Sequence, residues 1–197
     1  DVGAVLTDGP RVTGVETNRG QYAADVVVNA TGPWSPECNA SVGVDLPIHR
    51  TRGPIVQFDA ATVREIPFTV FDDDRYVRRA PDGYYVGHYN TTFDPKSDCP
   101  PGERGTVSPA FVDGARNRLE SVLSVGTATP VDQWFGLRTV TPDGDPVVGA
   151  THREGFYVAS GMNGLGVTFA PAVGQVLAAA VDGESGGLVE ALSPRRF

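Results

Sequence analysis

The chain has 197 residues, a formal net charge of -8 and a pI of about 4.8. That length is enough for one domain with a sizeable core, or for pieces of two. The acidic balance argues against a nucleic-acid partner, because a phosphate-binding surface needs a basic stripe and none is visible. No apolar run approaches the length of a membrane span, and no basic, apolar secretory leader opens the chain. Cys38 and Cys99 are far apart, with no CxxC and with His49, His88 and His152 scattered, so no metal site is expected. Lys96 is the one lysine, and aspartate outnumbers glutamate. A salt-tolerant surface and a GC-rich coding bias explain this equally well. A cytoplasmic location is expected, and the sequons at Asn39 and Asn90 read as chance.

The single methionine is Met162, and Asp1 leads straight into the strand-like run VGAVL. The chain is therefore expected to be a fragment. Residues 1–30 read as a β meander: VGAVL, the turn DGP, RVTGVET, the turn Asn18-Arg19-Gly20, then QYAA. Asp25 leads into VVVNA, whose β-branched apolar composition predicts a parallel strand buried on both faces. It stops at Thr31-Gly32-Pro33-Trp34. From 46 to 107 the segments RGPIVQF, PFTVF, RYVRRA and GYYVGHY, broken by Asp, Pro and Gly, predict an antiparallel sheet. Asn90 to Pro109 reads as a long polar loop. The spacing predicts a helix over 110–124, with Phe111, Ala115, Leu119 and Val122 on one face. VDQWFGLRTV, VVGAT and GFYVAS then read as strands, TPDGDP as a turn, and VTFAPAVGQVLAAAVDG as a helix.

Four features could carry chemistry. The first is VVVNATGPWS, where a small residue and a glycine after a buried strand let a nucleotide approach the backbone; it reads equally as a core strand with a glycine turn. The second is Gly161-Met162-Asn163-Gly164-Leu165-Gly166 before the last long helix. Its spacing is GxxGxG and not GxGxxG. Backbone N–H groups at a helix N-terminus can face a phosphate or any group gaining negative charge; a tight turn packing helix on sheet is the other reading. The third is Arg138 in WFGLRTV, whose planar guanidinium matches a carboxylate or pairs with an aspartate of the chain. The fourth is Tyr76, Tyr84, Tyr85 and Tyr89, which either line a pocket floor or pack.

In this order these features resemble the FAD-dependent amino-acid and amine oxidoreductases of the D-amino-acid oxidase, glycine oxidase and sarcosine oxidase superfamily. The residues that carry the resemblance are VTGVETNRGQYAADVVVNATGPWS, GLRTVTPDGDPVVG and GFYVASGMNGLGVTFAPAVGQVLAAAV. The resemblance covers nearly the whole chain, and the last two motifs are the specific ones. Family members carry an upstream GxGxxG that is absent here. The implied fold class is α/β (mixed α+β). It comprises a partial Rossmann-like FAD domain in 1–45 and 135–197 and an antiparallel-sheet substrate domain in 46–134.

The resemblance further implies non-covalent FAD. Val2 would lie near the adenine, with Ala30, Thr31, Gly32 and Trp34 passing close to the cofactor. The loop of Gly161, Met162, Asn163, Gly164, Leu165, Gly166, Val167 and Thr168 would lie against the flavin ring. Arg138 sits where glycine oxidase-like members hold the substrate carboxylate, and Tyr76 matches their carboxylate-side tyrosine. Gly136 stands where sarcosine oxidase-type members tether FAD through a cysteine, and Thr168 where they carry a lysine near the oxygen site. The implied activity is oxidation of a small carboxylated amine, such as glycine or sarcosine, by hydride transfer to flavin, with either oxygen or another electron acceptor. A hydroxy-acid or polyol-phosphate dehydrogenase of the same fold and a non-catalytic interaction module remain open. A homodimer through exposed edges and an electron-acceptor partner remain open as well.

Overall fold

The computed structural model describes residues 1–197 apart from 90, 95, 97 and 124. The sequon reading at Asn90 and the end of the expected helix at Ser124 fall outside the described residues. The chain forms two units. The first comprises 1–51, 91–101 and 138–197, and the second 52–90 and 102–137.

The first unit opens on an antiparallel meander of β1 (Val2–Asp8), β2 (Arg11–Thr17) and β3 (Gly20–Ala23). Gly9 makes the first turn at φ +56. The second turn is closed by Thr17, whose Oγ1 accepts from the Arg19 N–H at 3.0 Å. A glycine is required at 14 because a β-carbon there would stand 2.1 Å from the Tyr22 carbonyl oxygen. After β4 (Val27–Asn29) and the short helix α1 (Ser35–Ala40), the unit takes up again at the end of the chain. There, β10 (Val147–Ala150) pairs antiparallel with β11 (Phe156–Ser160), which pairs parallel with β4. Val12, Val42, Val44, Ile48, Val147, Phe156 and Val158 form its core. Helix α3 (Gly166–Val181) packs on β10 and β11, and the short α4 (Gly187–Ala191) follows.

The second unit holds the body of a five-stranded sheet. Its order is β6 (Thr69–Val70), β7 (Arg75–Ala80), β8 (Gly83–His88), β5 (His49–Ala60), β9 (Ala128–Val140). The alternation in β5, β7 and β8 sends Val56, Phe58, Val77, Tyr84 and Val86 inward against α2 (Pro109–Leu123). Ser108 precedes α2 and accepts the Phe111 N–H through its Oγ at 3.3 Å, with Pro109 in the first turn where its missing N–H costs nothing.

The fold is the expected α/β mixture with an antiparallel middle, and two local expectations are corrected. The run VVVNA is not buried on both faces. β4 ends its three-stranded sheet, and Val26 and Val28 stay more than a third exposed. On α2, Ala115 and Leu119 are buried as the spacing predicts, but Val122 is 43% exposed while Val112 and Leu123 pack on the core. Phe111 packs on the core as expected too, so the buried stripe departs from the expectation only in its last turn, where Leu123 takes the place of Val122. No helix among the described residues is long and apolar enough to cross a membrane.

Candidate functional site

β4 ends on Asn29, an amide that is 1% exposed in an otherwise apolar run. Its Nδ2 donates to the Ser35 carbonyl at 2.9 Å and to Asn39 Oδ1 at 2.8 Å. Its Oδ1 accepts from the Thr31 N–H at 3.2 Å and from Thr31 Oγ1 at 2.7 Å. The side chain thus uses both donors and both acceptor positions. Buried polar groups satisfied in this way fix one local geometry, because any displacement leaves a group unpaired in a low-dielectric interior. The geometry fixed here is the turn Ala30-Thr31-Gly32. Gly32 sits at φ +57, with nothing within 4 Å of where a β-carbon would be. The backbone therefore approaches open space bare.

That open space adjoins a cavity of about 560 Å³. Val2, Gly3, Val28, Thr31, Trp34 and Cys38 are among its walls. The cavity is lined mostly by apolar strand residues with a few polar groups among them, the usual make-up of a small-molecule site. Burial raises the Cys38 thiol above its ordinary range, which keeps it protonated at neutral pH.

The glycine loop is held as closely. The Gly161 N–H donates to Thr139 Oγ1 at 3.1 Å, and the Asn163 N–H donates to the Thr139 carbonyl at 2.9 Å. Asn163 Nδ2 donates to the Gly144 carbonyl. Asn163 and Gly164 both lie in the left-handed region, at φ +51 and +83. α3 then begins at Gly166, so the N–H groups of Gly166, Val167 and Thr168 have no partner within the helix and point out at its positive end. Val167 is 94% exposed. Arg138, at the end of β9, packs its side chain against Gly164: a β-carbon there would stand 2.7 Å from Nε.

The neighbouring turn Thr141–Asp145 is fixed from the chain end. Thr141 Oγ1 donates to the Asp145 carbonyl at 2.8 Å, and Arg196 Nε donates to Asp143 Oδ2 at 2.7 Å. The Arg196 hydrogen bond holds the Asp143 carboxyl at about 2.

The structure brings the sequence-designated residues into two groups within one unit. Val2, Thr31 and Trp34 line the cavity, with Ala30 and Gly32 in the same turn; residues 161 to 168 gather beside Arg138. Tyr76 belongs to the second unit. There it is 6% exposed, stacked on Phe68 at 5.2 Å and tilted against Tyr89 at 5.1 Å. Tyr84 is a packing residue: its hydroxyl accepts the Arg64 N–H at 2.7 Å inside the core. Tyr85 stands edge-on to Trp134 at 5.8 Å.

Sequence reasoning missed the polar groups beneath these loops. Asn29, Ser35, Asn39 and Ser160 are all buried, and Ser35 and Ser160 share a hydroxyl–hydroxyl bond of 2.6 Å. A single amide closing the apolar run VVVNA was the available signal. Arg50 was missed as well. It is buried, chelates Asp98 through Nε at 3.1 Å and Nη2 at 2.7 Å, and donates through Nη1 to Glu37 at 2.6 Å and to the Pro33 carbonyl at 3.1 Å. Burial pushes the Asp98 carboxyl up, but the Arg50 hydrogen bonds and charge outweigh it and the net shift is downward.

Residues 2–180 match the family described as FAD dependent oxidoreductase, DAO. The chain is 32% identical over 184 residues to a D-amino acid dehydrogenase of Cereibacter sphaeroides, covering 90% of this chain and 40% of that protein. It is 34% identical over 189 residues to the D-amino acid dehydrogenase of a second strain of that species, again with 90% and 40% covered. Among solved structures, glycine oxidase from Geobacillus kaustophilus superposes with a TM-score of 0.78 at 26% identity, over 100% of this chain and 52% of that one. L-proline dehydrogenase from P. horikoshii does so with a TM-score of 0.78 at 25% identity, over 100% and 53%. The chain therefore spans less than half the length of these curated relatives.

Proposed function

Since the chain belongs to the FAD dependent oxidoreductase family, we propose that it is the part of a flavoenzyme that holds one side of FAD and binds an amino-acid substrate. The observation that carries this reading is the cavity that Val2 shares with the turn residues Thr31 and Trp34, distant from it in sequence, all of which the family resemblance assigns to one cofactor. The cavity fits such a group. It is mostly apolar, has a glycine turn at its rim, and leaves backbone N–H groups unhindered by a β-carbon at Gly32. FAD, when bound, supplies the hydride acceptor. Residues 1–45 and 135–197 would form the cofactor part, and 46–134 the substrate part.

The N–H groups of Gly166, Val167 and Thr168 would stabilise negative charge appearing beside the α3 N-terminus, because fixed dipoles need no reorganisation as charge develops. Arg138 would hold the substrate carboxylate through its planar guanidinium. Gly136 offers no sulfur for a covalent tether, so FAD would be held without one. Thr168 in place of a lysine favours an electron acceptor other than oxygen, and the names of the curated relatives favour a D-amino acid over glycine or sarcosine. We place the enzyme in the cytoplasm, with a homodimer or an acceptor protein as its partner.

The test is a visible spectrum of the full-length protein, followed by anaerobic titration with D-alanine, glycine, N-methylglycine, L-proline and a 2-hydroxy acid. Bleaching of a flavin band by D-alanine supports the reading. Bleaching only by the hydroxy acid replaces the amine with an alcohol substrate, and the absence of a flavin band refutes it.

A further inference from the structure

Ser160 closes β11 and directly precedes Gly161; Ser35 opens α1 and follows the turn Thr31–Trp34. Their side chains are 1% and 0% exposed and meet at 2.6 Å, across 125 positions of sequence. Each serine is also tied to one of the two loops described above. The Ser35 carbonyl accepts from Asn29 Nδ2, and the same Asn29 amide accepts the Thr31 N–H and hydroxyl. On the other side, the Gly161 N–H is fixed on Thr139 Oγ1, and the Thr139 carbonyl takes the Asn163 N–H. Two sets of buried polar contacts, one around the turn at the cavity rim and one around the glycine loop beside Arg138, are thus joined by the Ser35–Ser160 bond and by the backbone that runs from Ser160 into Gly161. Packing alone would not demand two hydroxyls here. A hydroxyl pair is directional, and losing one partner leaves the other buried and unsatisfied.

We infer that Ser160 is a positioning residue: its bond to Ser35 sets the spacing between the turn at Thr31 and the glycine loop, and so aligns both loops on one bound cofactor. This rests on the reading that these loops hold FAD. The Ser35–Ser160 pair touches neither the cavity nor the α3 N-terminus, so its effect on the cofactor passes through the two backbones. A purely structural hydrogen bond would act on folding stability alone. A spacing device acts on cofactor affinity and on the flavin's reduction potential even where stability is restored.

The experiment uses the full-length protein with Ser35→Ala, Ser160→Ala and the double variant. Unfolding midpoint, FAD dissociation constant by flavin fluorescence and reduction potential are measured for each. Each single variant should lose stability, because one hydroxyl is left unpaired, and the double variant should recover most of it. FAD binding should be weakened by about fivefold to tenfold in all three, the double included, as befits the loss of one well-aligned hydrogen bond. The potential should shift in the same direction in all three. If FAD affinity and potential recover together with stability in the double variant, or never change, Ser160 has no positioning role and the inference fails. Failure of the unaltered full-length protein to bind FAD would instead refute the reading beneath it, and the inference with it.

Discussion

Gly164 and Arg138 are in direct contact across the glycine loop: a β-carbon at 164 would stand 2.7 Å from Arg138 Nε and 2.8 Å from its Cδ. Gly164 also lies at φ +83, where an L side chain is strained. Gly164→Ala should therefore cost about 1–2 kcal/mol of stability through backbone strain. It should also push the guanidinium off its present line, so that KM for a carboxylated amine rises by more than kcat falls. Steady-state kinetics beside a denaturant titration separate the two effects.

Arg138 itself gives a sharper outcome. Arg138→Ala in the intact enzyme should raise KM for the amino acid strongly, because a carboxylate loses a charge-assisted, bidentate partner worth about 1.5–3 kcal/mol. Arg138→Lys should recover only part of this, since an ammonium cannot make the fork. Unchanged kinetics in both variants would remove Arg138 from the substrate site.

Asp143 and Arg196 link the turn before β10 to the chain end. Hydrogen bonding from Arg196, above all, lowers the Asp143 carboxyl from 3.8 to about 2. The unfolded chain therefore binds this proton more readily than the folded one. The contribution of the pair is complete above pH 4 or so and is lost as pH falls towards 2. Asp143→Asn should flatten the acid limb of the stability profile over that window and leave it unchanged near neutral pH, apart from a constant offset. Thermal unfolding between pH 2 and pH 7 reads this directly.

Two positions on α2 distinguish core from surface. Leu119 is fully buried against Val56, Phe58 and Tyr84, and Leu119→Ala should cost about 2–5 kcal/mol through lost burial and a residual cavity. Val122 is 43% exposed, and Val122→Asn should stay within about 0.5 kcal/mol. Chemical denaturation of the two variants checks where the buried stripe of α2 ends.

The local pattern carried much of the fold. Turn residues at Gly9 and Gly20 marked the meander, alternation marked β5, β7 and β8, and the motif ending in Gly166 marked the start of α3. These are short-range signals, because a turn or a pleat needs only its own residues and their neighbours. Only the last position of the α2 face was misread, Val122 for Leu123, because 100° spacing identifies a stripe while the opposing sheet decides where its edge lies. The exposure of Val28 likewise depends on which strands flank β4, and no property of VVVNA reports that.

By itself the sequence determined the order of the main strands and of the two long helices, and it singled out residues whose chemistry suits a cofactor or a carboxylate. Only the tertiary structure decided that Val2 shares a cavity with Trp34, that Arg50 is clasped by Glu37 and Asp98, and that Ser35 meets Ser160. Those contacts join residues far apart in the chain. A single serine or arginine carries no local mark of its partner, since a hydrogen bond between distant residues is set by the register of β4 on β11 and the path of α1, not by the neighbours of either residue.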